Sequence, residues 1–453
     1  MSVAEKVSVP GKRNFSRGVH PDDKKSLSAN APIEVLPTPK SVLIPLSQHI
    51  GAPCKPIVNP RTEVQIGDVL GDSDAFVSAP VHASIAGTTA AQTTTTLPNG
   101  VHTAAIPITA ADEQGLTGQS LWEDIYGGNW QIDAIDSYKP DEIINLVRRA
   151  GIAGMGGATF PTHVKLKQNP ERPVDTLLVN GCECEPYLTS DYRLMLQAPD
   201  AIVSGAILAA RAAGARRILI VIEDNKPDAI STMQSATRDT DVGVVEVHTK
   251  YPMGGERQLI YAVLKREVPT GGLPLDVGVV VVNVATAAAV ARAVLRGKPL
   301  THRIISVTGE GIRSPKNLLV PIGTSYADLI DYCGGLTDDA VRVISGGPMM
   351  GFTVADLNTP VTKGTSGVVV LTDKQVRRME ETACIRCGRC VESCPLGLIP
   401  TKIALAARAK DWVVARRYYL TACVECGCCG YVCPAGIPLV QLIRAGKAAM
   451  PKE

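Results

Sequence analysis

The chain has no excess of either charge: its 453 residues carry 46 Lys and Arg against 44 Asp and Glu. That balance leaves neither the basic footprint of a nucleic-acid binder nor a polybasic membrane-binding segment. Long apolar runs are missing as well. The most apolar segment, Val277 to Ala291, contains Asn283 and Thr286 and stops at Arg292. It is shorter than the ~20 residues of a spanning helix and reads as a buried strand running into a core helix. The opening stretch, MSVAEKVSVPGKRNF, has no apolar core of signal-peptide length. No direct membrane insertion and no nucleic-acid partner are expected, and the length implies roughly three or four domains.

What the chain has is cysteine, 13 in all. Eight fall into two copies of one pattern. The first is Cys384-x-x-Cys387-x-x-Cys390-x-x-x-Cys394-Pro395, the second Cys423-x-x-Cys426-x-x-Cys429-x-x-x-Cys433-Pro434. Each is the bacterial ferredoxin run that holds a [4Fe–4S] cluster, whose fourth cysteine reaches the other cluster. The pattern therefore implies a crossed pair: Cys384, Cys387, Cys390 and Cys433 on one cube, Cys423, Cys426, Cys429 and Cys394 on the other. Zinc knuckles prefer two C-x-x-C pairs with no following proline. Cys54, Cys182, Cys184, Cys333 and Cys428 remain outside the pattern. Reduced thiolate ligands point to an intracellular setting rather than a disulfide scaffold.

Along the chain, residues 1–32 are polar and proline-bearing, as an arm lying on other parts would be. Residues 33–115 read as short strands broken by Gly and Pro, laid out like a biotinyl/lipoyl-type barrel-sandwich hybrid. The hairpin Gly71 to Ser78 carries no lysine for a swinging arm, so this unit is expected to be structural. Residues 130–302 alternate helix and strand signals, with strands at Thr176–Val179, Arg217–Ile222 and Val277–Val282, as in a Rossmann-like α/β domain. Residues 303–371 suit a small β-grasp module with a helix at Tyr326–Tyr332. Residues 375–445 form the ferredoxin-like dicluster unit. Its runs are joined by a helical stretch, Thr401 to Tyr419, with Ile403, Leu405, Ala409 and Trp412 facing inward. The seven histidines are expected on loops or the surface.

Two further segments carry chemistry. Gly151 to Lys165 contains Gly154, Gly156, Gly157 and Phe160, and ends on a positive charge at Lys165. Glycines let backbone N–H groups approach a phosphate or flavin edge. The loop is neither a Walker A motif nor a dinucleotide fingerprint. Asn180-Gly-Cys-Glu183-Cys-Glu185-Pro-Tyr follows the Thr176–Val179 strand, at the strand end where α/β sheets place ligands.

Together with Tyr251-Pro-Met-Gly254-Gly-Glu256 and Asn283-Val-Ala-Thr286, these segments resemble the RnfC family, the NADH-facing subunit of the Rnf electron-transport complex. The resemblance runs from Phe15 through the second cysteine run. The glycine loop is also similar to one in the flavin-binding subunit of respiratory complex I. That similarity implies that Gly154, Gly156, Gly157 and Lys165 cradle FMN and that Asn180, Glu183, Tyr251, Gly254, Glu256, Asn283 and Thr286 line it. It further implies that Phe160 and Glu185 contact NADH and that 303–371 is an SLBB-type module. Cys182 departs from the pattern, standing where the complex I protein has an acid. The resemblance implies an NADH-linked oxidoreductase subunit, peripheral on the cytoplasmic face. Its partners would be integral Rnf subunits and an iron–sulfur subunit, with ferredoxin reached indirectly. A corrinoid reductase and a non-catalytic iron–sulfur relay are the alternatives. The barrel-sandwich unit argues against the first, and bound flavin would exclude the second.

Overall fold

The computed structural model describes residues 13–451, apart from Gln131 and Arg377. The first 12 residues of the expected arm lie outside that range. The rest of the arm is tied down by one buried lysine, Lys25, whose Nζ donates to the carbonyls of Glu183, Glu185 and Leu188 at 2.8, 3.0 and 2.6 Å. Strand β1 (Ile33–Val35) follows and differs from expectation. It pairs in parallel with a strand of the later β-grasp module, not with the barrel-sandwich unit. Asn317 explains this, since its Nδ2 donates to Ser28 O at 2.9 Å and Ala31 O at 3.1 Å and fixes the arm there.

The barrel-sandwich unit comprises β2 (Ser41–Pro45), β3 (Lys55–Pro56), β4 (Glu63–Val64), β5 (Val69–Asp72), β6 (Val81–His82), β7 (Gly87–Thr89), β8 (Thr93–Thr96) and β9 (His102–Ala110). One sheet runs β2-β9-β7-β4 with β8 also on β9; the other runs β3-β5-β6. Gly87 is required at the β7–β9 contact, because a Cβ there would stand 2.0 Å from Thr109 O.

The central domain contains α1 (Gly118–Ile125), α2 (Pro140–Arg149), α3 (Thr162–Leu166), β10 (Thr176–Asn180), α4 (Ser190–Gln197), α5 (Pro199–Ala213), β11 (Arg217–Glu223), α6 (Pro227–Ala236), β12 (Val242–Val247), α7 (Glu256–Leu264), β13 (Val279–Asn283) and α8 (Val284–Arg296). The four strands are parallel in the order β12-β11-β10-β13. Alternate side chains separate two cores. Leu177, Val179, Ile220 and Val282 pack with α5 and α8 in a core continuous with the barrel-sandwich unit. Leu178, Val221, Val245 and Val281 pack with α7 on the other face. Strand order reverses between β10 and β13, which opens a crevice at their C-terminal ends.

The β-grasp module contributes β14 (His302–Thr308), β15 (Lys316–Pro321), α9 (Tyr326–Tyr332), β16 (Ala340–Ser345), β17 (Phe352–Thr353) and β18 (Gly367–Thr372), with sheet order β1-β15-β14-β18-β16-β17. Fully buried Lys363 staples three units together, its Nζ donating to Pro80 O at 2.5 Å and Gly151 O at 2.7 Å.

The last unit holds α10 (Arg389–Glu392), α11 (Pro400–Arg408), α12 (Trp412–Arg417), α13 (Cys428–Tyr431) and α14 (Leu439–Ala449). The expected single helical stretch breaks at Lys410, which takes φ 55°. Ile403, Ala404, Ala406 and Ala407 face inward, while Leu405 and Ala409 face solvent and Trp412 is half-buried. The phase is set where α14 closes on α11, so tightly that a Cβ on Gly446 would stand 2.5 Å from Ala407 Cβ. The histidines depart from expectation too. His49, His82, His163 and His302 are buried, and burial lowers His163 to about 4, keeping it neutral.

Candidate functional site

Asn180 and Asn283 end the two strands that flank the crevice, in register with each other. Asn180 Nδ2 donates to Gly254 O at 2.8 Å. The Asn283 carboxamide works in two directions, accepting from Ala285 N at 2.8 Å to cap α8 and donating to Asp191 Oδ2 at 2.6 Å. Thr286, one turn on, accepts from Met155 N at 3.0 Å and anchors the glycine loop. The loop closes on itself through Gly154 N to Phe160 O at 2.9 Å. Within it, Gly156 leaves no room for a side chain: a Cβ would lie 2.7 Å from Asn283 Nδ2. Gly157 borders open space, with nothing within 4 Å of a built Cβ.

One ion pair and one amide-bound carboxylate frame this crevice. Lys165 Nζ donates to Glu256 Oε1 at 2.7 Å and to Val281 O at 2.9 Å, holding α3 to the N-terminus of α7. Glu183 takes φ 46°, a left-handed conformation uncommon outside glycine. Its carboxylate accepts from Asp191 N at 2.7 Å and Tyr192 N at 3.1 Å, at the N-terminus of α4. There the unpaired amides and the helix dipole favour an anion.

Glycine loop, Lys165, Asn180, Glu183, Gly254, Glu256, Asn283 and Thr286 thus converge on one crevice. Tyr251 and Glu185 lie on its flank toward the cysteine unit. The reading from sequence missed Asp191, which burial, reinforced by Glu183, pushes up to about 7. Its only signal was an acid in the first turn of the helix after the acidic segment. It also missed Lys25 and the buried Arg303, whose Nη2 donates to Thr365 O at 3.0 Å; neither sits in a motif.

The cysteine unit is a structural repeat as well as a sequence repeat. Arg386 and Glu425 occupy equivalent positions with φ 56° and 57°, Gly388 and Gly427 with 79° and 87°, Gly397 and Gly436 with 68° and 63°. Cys394 comes from the first run and Cys423, Cys426 and Cys429 from the second; these four, with Cys428 beside them, line one cavity whose walls include Leu398, Ile403, Val440 and Ile443. Cys390 lies within electrostatic reach of Cys387 and Cys433. Four thiols around an apolar cavity suit an iron–sulfur cube, which needs sulfur ligands and a dry wall. Cys428 is fully buried beside Val19, Tyr251 and Cys426.

The two sites meet through the acidic segment. Tyr251 OH donates to Cys426 O at 2.6 Å and sits 3.4 Å from Glu185 Oε1. Glu185 accepts from Met349 N at 3.1 Å and Met350 N at 2.8 Å, and desolvation pushes it up to about 7. Cys184 Sγ accepts from Gly254 N at 3.3 Å. The segment that ends β10 therefore borders the crevice and reaches the second cysteine run through Tyr251.

Comparison with known proteins agrees with this division. Four family models match in chain order: the RnfC barrel sandwich hybrid domain over residues 13–114, the Nuo51 FMN-binding domain over 147–292, the SLBB domain over 304–353 and a 4Fe-4S dicluster domain over 383–437. The chain is 45% identical over 411 residues, 90% of its own length and 87% of the relative's, to the C subunit of the proton-translocating ferredoxin:NAD(+) oxidoreductase complex of Clostridium ljungdahlii. It is 42% identical over 399 residues, 88% of each chain, to the C subunit of the Na(+)-translocating ferredoxin:NAD(+) oxidoreductase complex of Acetobacterium woodii. It is 41% identical over 436 residues, 96% of this chain and 82% of the relative, to the C subunit of the ion-translocating oxidoreductase complex of Rhodobacter capsulatus. Among solved structures, an NAD+-reducing [NiFe]-hydrogenase in the H2-reduced state matches with TM-score 0.51 at 19% identity, over 72% of this chain and 65% of that one, a likeness of fold.

A parallel-sheet FMN-binding domain joined to a dicluster unit defines an electron-transfer flavo-iron–sulfur protein. More narrowly, the chain belongs to the RnfC family, the C subunits of ion-translocating oxidoreductase complexes.

Proposed function

We propose that this chain is the subunit through which an ion-translocating ferredoxin:NAD oxidoreductase exchanges electrons with NAD(H), using FMN and two [4Fe–4S] clusters. The observation that carries the proposal is that one segment, Asn180 to Tyr187, borders the glycine-lined crevice through Asn180 and meets, through Glu185, the Tyr251 hydroxyl that binds the second cysteine run. When bound, FMN supplies the conversion between hydride pairs and single electrons. The protein's own task is binding, orientation and exclusion of water.

In this reading the backbone of Gly154, Gly156 and Gly157 approaches the FMN phosphate and ring, with the N-terminus of α8 favouring the negative charge. Lys165, already fixed by Glu256, contributes a positive charge at a defined position. Asn180, Glu183, Tyr251, Gly254, Glu256, Asn283 and Thr286 line the flavin. Phe160 and Glu185 contact NAD(H), Glu185 through the acceptor capacity its two amide bonds leave free. The crossed ligand sets, Cys384, Cys387, Cys390 with Cys433 and Cys423, Cys426, Cys429 with Cys394, hold the clusters. The shared cavity of Cys394 with the second run supports the crossing.

No helix among the described residues is long and apolar enough to cross a membrane. Because its relatives are subunits of ion-translocating complexes, we place the chain peripherally at the cytoplasmic face, held by integral subunits and an iron–sulfur subunit of the complex, with ferredoxin reached through them. The function is tested with Lys165→Ala in FMN-loaded protein. FMN occupancy and NADH-dependent dye reduction should fall together, by about 10-fold for loss of one charge-assisted contact worth ~1.5 kcal/mol, while the cluster EPR signals persist. Full occupancy with undiminished dye reduction would overturn the flavin placement.

A further inference from the structure

The two cysteine runs repeat each other in backbone, yet their surroundings are opposite. Gly427 in the second run is pressed against the β-grasp module, where a Cβ would stand 2.5 Å from Met349 O; its counterpart Gly388 has nothing within 4 Å. Cys426 is buried, and its carbonyl is held by Tyr251; its counterpart Cys387 is exposed. Glu425 is paired with Arg444 at 3.0 Å and Lys447 at 2.7 Å. Its counterpart Arg386 is exposed, as are Arg389 and the neighbouring Ile385 (67% exposed). Among the described residues no carboxylate pairs with Arg386 or Arg389, whereas Arg378, Arg408, Arg444 and Lys447 of the same unit are all paired.

Charge sharpens the contrast. Residues 375–453 contain twelve Lys and Arg against six Asp and Glu, while the rest of the chain has 34 against 38. A nearly neutral chain thus concentrates its positive charge on the unit that carries the clusters. One cysteine run is covered by Tyr251 and the β-grasp module, while the other is exposed at Cys387, beside Ile385 and two arginines that no carboxylate pairs among the described residues. An apolar centre with a charged rim is how transient protein partners are oriented, and the charge sets encounter rate more than affinity.

We infer that the open edge of the first run, Ile385 to Arg389, is the port through which single electrons pass between this chain and an acidic protein carrying an iron–sulfur centre. The inference rests on the function proposed above and narrows it, making the first-run cluster the outer one and the second-run cluster the one beside the flavin crevice. Each encounter moves one electron, oxidising one reduced partner; two encounters, with one proton, turn one NAD+ into NADH.

The experiment uses the full chain, FMN-loaded and with both clusters in place, mixed in a stopped-flow instrument with photoreduced acidic 2[4Fe–4S] ferredoxin, the probe that stands in for the iron–sulfur subunit. Arg386→Glu with Arg389→Glu should lower the second-order rate constant at low salt by about 10-fold to 100-fold and flatten its salt dependence. Arg386→Gln with Arg389→Gln should fall between, and EPR should show both clusters intact. Lys40→Glu with Arg61→Glu, exposed on the barrel-sandwich unit, should stay within about 2-fold, since those charges lie outside the cysteine unit. An unchanged rate in the first pair, or an equal loss in the second, would overturn the port. A wild type that takes electrons from ferredoxin but passes none to NAD+ would defeat the proposed function while supporting the port.

Discussion

Tyr251 is the residue on which the two halves of the account meet. It is 2% exposed, and its hydroxyl donates to the carbonyl of Cys426 in the second cysteine run. Tyr251→Phe removes that bond and leaves a buried carbonyl unpaired, at a cost of about 1–3 kcal/mol. It should also change the reduction potential of the cluster beside it more than that of the other, which an EPR-monitored redox titration resolves. Equal potentials in mutant and wild type would mean that the tyrosine only packs. Asp191 gives a pH prediction. Its proton affinity is raised from 3.8 to about 7, by burial first and Glu183 second. A carboxyl raised on folding stabilises below its unfolded value and loses that contribution as pH rises through the folded one. Between about pH 4 and 7 the FMN-free protein should therefore lose thermal stability as pH rises, and Asp191→Asn should flatten that slope. A slope as steep in the variant as in the wild type would assign the effect elsewhere, with Glu185 the next group to replace.

At the scale of elements, the repeat of Cys-x-x-Cys-x-x-Cys-x-x-x-Cys-Pro was readable because cluster chemistry fixes residue type and spacing together. The strands at Thr176, Arg217 and Val279 were readable because apolar runs of that length suit a sheet covered on both faces. The helix between the runs was misread, since Leu405 is apolar yet exposed and the break at Lys410 needs no glycine or proline to announce it. Strand β1 falls in the span read as the barrel-sandwich unit, yet it pairs with β15, where Asn317, far along the chain, fixes the arm. Asp191 and Arg303 were invisible for the same reason: their roles exist only once distant loops come together. The glycine loop offers a direct test. Gly156→Ala would set a methyl 2.7–2.9 Å from the Asn283 side chain and displace the residue that holds Asp191 and caps α8. FMN affinity should drop by about 10-fold or more, for roughly 1.4 kcal/mol or above of crowding. FMN affinity equal to wild type would mean that the loop does not face the ligand.

For the molecule as a whole, rigidity between units matters as much as the sites, because electron transfer depends on how near the cofactors are held. The barrel-sandwich unit shares one continuous core with the flavin domain. Lys363 adds a polar staple from the β-grasp module to both. Lys363→Met keeps the volume but strands two buried carbonyls, and should cost about 2–5 kcal/mol in denaturant unfolding. Loss of less than about 0.5 kcal/mol would show that water replaces the staple. In the proposed function one connected path joins the cysteine unit to the glycine-lined crevice. The most direct measurement reduces the clusters photochemically in FMN-loaded protein, removes the reductant, adds NAD+ and follows cluster EPR together with NADH formation. The cluster signals should vanish as one NADH appears for every two electrons withdrawn, and FMN-free protein should do neither. Clusters that stay reduced in the presence of NAD+ and bound FMN would contradict it.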